Sequence, residues 1–166
     1  MTEHSETRWL DDREQRIWRT FMSASIELQA HLDRQLRVDA GMPVAYYEIL
    51  VMLSETPGRS LRMSRLAELC NSSRSRLSHA VAAMEKSGWV SRCAIEGDRR
   101  GAVAELTDAG YEVLRQAAPG HVTEVRETLF EALTEEQLHA LGEIGAALKV
   151  RLKERGCSRY GRGEHC

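Results

Sequence analysis

Residues 61–107 constrain this chain more than any other stretch: two short amphipathic helices, a polar break, then a basic hairpin punctuated by glycine. Met63, Leu66, Ala67 and Cys70 recur at the three- and four-residue spacing that puts them on one helix face. Asn71-Ser72 interrupts the pattern, and Ser73 stands where a second helix needs an N-cap. On that second helix Leu77, Ala80, Val81 and Met84 share a side that requires a core. The opposite side offers Arg74, Ser75, Arg76, Ser78 and His79, all donors and none acidic. This is the layout of a helix-turn-helix, whose second helix lays its N-terminal turns against base edges in the major groove. Arg74 and Arg76 can donate bidentately to guanine O6 and N7, while Ser75, Ser78 and His79 reach bases or phosphates. Ser73, at the head of this face, is counted with it.

The residues that follow extend the reading. Gly88 is placed to end the second helix in a left-handed conformation. Trp89-Val90 and Ala102–Leu106 read as two strands joined by a loop over residues 94–101. A strand pair with arginine at its tip, directly after a recognition helix, is a wing. Arg100 is expected to enter the minor groove, where a narrow A·T segment concentrates negative potential. Asp98 would hold it in one orientation, and Arg99 would meet phosphate. Arg62, Arg65 and Lys86 are expected to touch the DNA backbone, which positions a protein without specifying sequence.

The run resembles the MarR family of bacterial winged-helix regulators. The resemblance rests on Leu66-Ala67, Ser73-Arg74-Ser75, Glu85-Lys86-Ser87-Gly88 and the wing signature Asp98-Arg99-Arg100, followed six residues later by Leu106-Thr107. A looser likeness covers about Leu10 to Leu152. The turn departs from the pattern by carrying Asn71 where many members have glycine, a mild change because Asn tolerates the left-handed region. The resemblance implies a dimer held by its terminal helices and a ligand pocket between those helices and the DNA-binding lobe, often taking small aromatic or phenolic molecules.

Charge distribution agrees with a nucleic-acid partner although the formal net charge is −2. From Arg59 to Gly101 nine basic residues stand against four acidic ones, a local net of +5, and the remainder carries −7. Such asymmetry concentrates an attractive field on one face. No apolar run approaches a membrane span, and Met1 to Arg16 is too polar for a signal peptide, so a cytoplasmic protein is expected.

The flanks explain how two such modules would be held together. Asp11 and Glu14 form a capping box, followed by a helix with Ile17, Trp18, Phe21, Leu28, Leu32 and Leu36 along one stripe. Gly41, Met42 and Pro43 break it, with Pro43 suited to the first position of the next helix, Tyr46 to Leu53. After the wing, Thr107 caps a helix expected to be interrupted or kinked near Pro119-Gly120. Thr134 and Gln137 form a second capping box before the stripe Leu138, Leu141, Gly145, Leu148 and Leu152. A lone winged helix needs only about half this length, so the terminal helices are expected to pack around a two-fold axis. The dimer would read a palindromic site with half-sites roughly 10 bp apart. The alternative is a monomer with those stripes in its own core.

The expected fold is therefore mainly α with a small β-hairpin wing. It divides into an N-terminal dimerisation helix (1–42), a winged helix-turn-helix lobe (43–107), C-terminal dimerisation helices (108–154) and a tail (155–166) expected to be disordered. Trp18, Phe21, Tyr46 and Tyr47 are candidates to line a ligand pocket, with Arg16 or His31 meeting an anionic group, although such stripes also serve as plain core. Cys70 and Cys93 offer a thiol switch as an alternative mode of control, with inert reduced thiols the default. Cys157, His165 and Cys166 match no common zinc spacing. No metal, cofactor or catalytic motif is expected: there is no Gly-rich phosphate loop, no His-Glu-x-x-His and no Gly-x-Ser-x-Gly. The most concrete reading is a dimeric repressor released from a palindromic operator by a small ligand. Its rivals are a redox-responsive regulator and a winged helix used for protein–protein contact.

Overall fold

Helix α1 starts where a reciprocal pair of hydrogen bonds fixes its first turn. Asp11 accepts from the Glu14 amide, and Glu14 accepts from the Asp11 amide. The computed structural model describes residues 7–95 and 98–159. Within them the elements run α1 (Asp12–Asp39), α2 (Val44–Ser54), β1 (Ser60–Arg62), α3 (Met63–Leu69), α4 (Arg74–Lys86), β2 (Val90–Ile95), β3 (Asp98–Leu106), α5 (Asp108–Val125) and α6 (Glu135–Arg159). Two units follow, Met1–Glu124 and Val125–Cys166.

In the first unit, Gly41 takes a positive φ of 65° and turns the chain out of α1, placing Met42 fully inside the core. Pro43 sits one position earlier than expected, as the N-cap of α2 rather than its first residue. The first N–H of that helix, on Val44, donates instead to Asp33 Oδ1 at 2.9 Å, so α1 caps α2 through a side chain. Leu50, Leu53, Leu66, Leu77, Val81 and Met84 are fully or almost fully buried, and Leu36 of α1 and Leu114 of α5 join the same core. Burying a side chain of this size stabilises by about 1.5–3 kcal/mol relative to leaving it in water.

The expected two-stranded wing supplies two strands of a three-stranded antiparallel sheet of order β1-β3-β2. β1 pairs Ser60 with Glu105, Leu61 with Ala104 and Arg62 with Val103. Three residues are too few to show an alternation, which is why this strand left no mark in the sequence pattern. The hairpin also reaches farther than expected. β2 and β3 pair through Cys93↔Val103 and Ala94↔Ala102 to Ile95↔Asp98, with an irregularity between Ala94 and Ile95, so most of the presumed loop is strand.

Two other expectations need correction. Helix α5 runs through Pro119 without interruption, and the irregularity falls later, in a π-helical turn at Arg126–Phe130. Proline within a helix removes one hydrogen bond but does not always end the helix. In the second unit the capping box forms as expected, with Thr134 N donating to Gln137 Oε1 at 2.9 Å and Gln137 N to Thr134 Oγ1 at 3.3 Å. Helix α6 then continues to Arg159, past the expected tail boundary at 155. An i,i+3 ion pair between Arg151 and Glu154, 3.2 Å apart, supports its last turns. Residues 160–166 lie outside the described part, as do the side chain of Cys157 and both His165 and Cys166. Among the described residues no helix is long and apolar enough to cross a membrane.

Candidate nucleic-acid interface

Two consecutive C-caps orient the recognition helix. At the end of α3 the Ser72 amide donates to the Ala67 carbonyl (2.9 Å) and the Asn71 amide to that of Glu68 (3.2 Å), with Asn71 at φ 47°. At the end of α4 the Trp89 amide donates to Met84 (3.0 Å) and Gly88 to Glu85 (2.9 Å), with Gly88 at φ 74°. Both are Schellman motifs, one built on Asn and one on Gly, and they fix the chain direction on either side of α4. Between them the Ser73 hydroxyl accepts from the Arg76 amide at 3.2 Å, capping α4 as expected.

The helix so held presents an exposed, acid-free first turn. Arg74, Ser75, Arg76 and His79 are exposed and Ser78 is half-buried, while Leu77, Val81 and Met84 are buried on the opposite side. Among the described residues neither Arg74 nor Arg76 has an acidic partner. Ser75, His79, Ala82 and Lys86 fall on one line at helical spacing, with Arg74 and Arg76 on either flank. Ala82 was not among the expected contacts, since a small apolar residue carries no donor signal. On such a line it offers a surface for a thymine methyl.

Other basic residues are already engaged. Arg65 pairs with Glu68 of its own helix at 2.9 Å, leaving both ends exposed. Arg62 is exposed on β1, at the N-cap of α3. Arg59 reaches Asp108 at 3.3 Å and lies 3.9 Å over the Tyr111 ring, which commits it to the start of α5. Arg92 donates to Glu85 twice, from Nε at 2.6 Å and from its backbone amide at 3.1 Å. That bridge ties the wing strand β2 to the back of the recognition helix. It spans a turn and seven residues, a separation with no periodic signature in sequence. The backbones of Asp98, Arg99 and Arg100 open β3, at the wing end of the hairpin, but their side chains lie outside the described residues.

Helix, turn, recognition helix and three-stranded wing are followed by a cap at Thr107. Its Oγ1 accepts from Gly110 N at 3.0 Å and donates to the carbonyls of Gly88 or Trp89 at 2.6 and 3.1 Å. A family model for the MarR family matches residues 40–101. The crystal structure of Sco3205, a MarR family transcriptional regulator from Streptomyces coelicolor solved in complex with DNA, is 53% identical. It matches with a TM-score of 0.83, covering 88% of this chain and 91% of that one. AbsC, a MarR family transcriptional regulator from the same organism, is 40% identical with a TM-score of 0.83, covering 89% and 99% of the two chains. The chain belongs to the MarR family of transcriptional regulators. Its relatives are regulators, not enzymes. The HTH-type regulator PecS of Dickeya dadantii is 35% identical over 66 residues, a stretch spanning only 40% of that protein.

This MarR family member also has a cavity of about 660 Å³ in its first unit, walled by α1, α2, the end of α3 and His121 of α5. Of Arg16, Trp18, Phe21, His31, Tyr46 and Tyr47, the expected pocket candidates, Tyr47 lines this cavity. It is buried, its ring 4.5 Å from that of His121, and burial raises its pKa. Tyr46, its neighbour, faces elsewhere and packs half-buried against the core. Arg16, Trp18 and Phe21 are exposed on the first half of α1. His31 Nε2 meets Glu124 Oε1 at 2.5 Å and does not line the cavity. Of the apolar stripe on α1, the C-terminal half, Leu28, Leu32 and Leu36, turns toward this unit's interior.

Cys70 is on the cavity wall. Burial, with a smaller contribution from Glu48, pushes its thiol up to about 11. At neutral pH this favours the thiol, the less nucleophilic form of the side chain. Cys93 is exposed on β2. Among the described residues no group of His, Cys, Asp or Glu is arranged to hold a metal ion.

Proposed function

We propose that this chain is a sequence-specific, dimeric DNA-binding repressor of the cytoplasm, seated on a palindromic operator and released by a small ligand. The observation that carries the reading is the first turn of α4. It is capped by Ser73, free of acidic residues and flanked by the exposed Arg74 and Arg76, which have no acidic partner among the described residues. The positive end of the helix dipole adds to those charges, so phosphate and base acceptors meet a preorganised donor surface. The DNA bound in the Sco3205 structure supports the same partner for this chain.

Dimerisation is supported by apolar side chains left in solvent on the terminal helices. Ile17, Trp18 and Phe21 on α1, and Leu141, Ile144, Leu148 and Leu152 on α6, are all exposed. A lone subunit gains nothing from such stripes, whereas a second copy covers them. The cavity next to the helix-turn-helix supports control by a ligand.

Fluorescence anisotropy with DNA from the gene's own upstream region, across a salt series and against scrambled competitor, tests the reading. A steep fall of log K with log salt and a preference for the specific DNA are expected, because bound phosphates release counterions. Salt-insensitive association, or no preference for any upstream sequence, would refute it.

A further inference from the structure

Among the described residues, the cavity beside the helix-turn-helix has a single formal charge on its wall, and that charge is negative. Glu48, on the solvent side of α2, is the only acid lining it, and no lysine or arginine does. Desolvation lowers the pKa of His121, against a smaller opposing effect of Glu124, which favours the neutral imidazole. The remaining wall is aromatic, aliphatic or neutral: Tyr47 tilted against His121 with centroids 4.5 Å apart, Leu32, Met52 and the Cys70 thiol. We propose that this cavity binds an apolar, aromatic organic cation, with its charge beside the Glu48 carboxylate and its rings against Tyr47 and Met52. The proposal rests on the reading of the chain as a ligand-released regulator and names the chemistry of that ligand.

Physical arguments of charge and of shape favour such an occupant. A carboxylate and the face of a tyrosine ring both attract positive charge. An anion of equal shape would be desolvated against Glu48 with no opposite charge to receive it. Thioether and aliphatic walls suit the apolar body, and 660 Å³ falls within the range of sites that enclose drug-sized molecules. Burial raises the Glu48 carboxyl, and a cation beside it would offset that desolvation. Arg16 and His31, which would have favoured an anion, are not on the wall.

The cavity also reaches the DNA-binding machinery through covalent structure. Leu69, Cys70 and Asn71 form part of its wall, and Asn71 is the left-handed residue of the turn, two positions before the Ser73 cap of α4. An occupant that displaces this segment alters the angle at which α4 leaves the turn.

Isothermal titration of the full chain with tetraphenylphosphonium and tetraphenylborate, which share a shape and differ in sign, tests the proposal. The phosphonium should bind about tenfold more tightly. Glu48→Gln should erase most of that preference, and Glu48→Lys should reverse it, with circular dichroism confirming that each variant is folded. Equal or tighter binding of the borate by the wild type, an unchanged preference in Glu48→Gln, or no binding of either probe would overturn the site. Anisotropy without probe reports separately on DNA binding, so a failed regulator reading is distinguishable from a failed ligand site. Adding phosphonium should weaken DNA binding, and saturation without such a change would overturn the coupling through Asn71.

Discussion

Replacing Gly110 by alanine isolates how tightly α5 is seated on the start of the wing. A Cβ at this position would lie 2.1 Å from the Trp89 carbonyl oxygen and 2.9 Å from both the Trp89 carbonyl carbon and Leu106 Cδ1. Carbon–oxygen contacts become ordinary near ~3.3 Å, so helix and strand would have to separate by about 1 Å. The Trp89 carbonyl also accepts from the Thr107 amide and is within reach of the Thr107 hydroxyl, both at 3.1 Å, so the movement would loosen the α5 cap as well. Overpacking of this kind costs about 3 kcal/mol, against about 1 kcal/mol gained from the higher helix propensity of alanine. A net loss of about 2 kcal/mol should lower Tm by roughly 4–8 °C for a chain of this size. Gly120, in the same helix, is the control. Its nearest neighbour would be Gln35 Nε2 at 3.8 Å, an ordinary contact, so Gly120→Ala should raise Tm by roughly 2–4 °C. Both variants should be melted by circular dichroism at one protein concentration, since association shifts Tm. The reasoning fails if Gly110→Ala melts at or above the wild type, or if the two variants shift in the same direction.

Arg74→Ala or Arg76→Ala should relax preference at one base pair per half-site by about 1–3 kcal/mol, whereas Arg100→Ala should weaken all sequences together, measured by competition anisotropy. Light scattering should give twice the subunit mass of 18.7 kDa, and Leu148→Glu on α6 should shift the protein toward the single subunit; a wild type already at 18.7 kDa would refute the dimer. Asp33→Ala should cost about 1–2 kcal/mol at pH 7 by removing the acceptor for the first α2 amide. The Arg37 side chain, then the Val44 amide, hold the Asp33 carboxyl below its ordinary 3.8. A depressed carboxyl stabilises fully above that value and less as pH falls through the folded pKa, so urea midpoints of the two proteins should converge in acid.

Features governed by neighbours along the chain are legible in the sequence itself. Ser73, Thr107, the two capping boxes and the left-handed Gly88 depend on hydrogen bonds spanning at most a few residues, and all form as expected. The same holds for the buried stripe of α4, whose period is carried by Leu77, Val81 and Met84. Features made by distant partners are not legible. β1 exists because β3 supplies its ladder, Arg92 meets Glu85 only after the chain has turned, and Asp33 caps a helix eleven residues away. Pro119 shows the converse error, a strong local signal overridden by the helix around it.

The candidate sites divide along the same line. A recognition face is local, because one helix period decides which side chains share it, so Arg74, Ser75, Arg76 and His79 group together in sequence and are exposed together. A cavity is assembled from four segments, and its wall depends on where each helix ends and how far it rotates. Trp18 and Phe21 share a stripe with Leu32 yet stand outside the cavity that Leu32 lines, because the apolar face of α1 serves two surfaces in succession. Asn71 is where the local and the assembled meet. Its positive φ sets the turn into α4, and its side of the turn closes the cavity. A left-handed residue without the freedom of glycine keeps that turn in one conformation more firmly, so in the proposed coupling a displaced wall would pass its movement to the recognition helix instead of losing it in the turn.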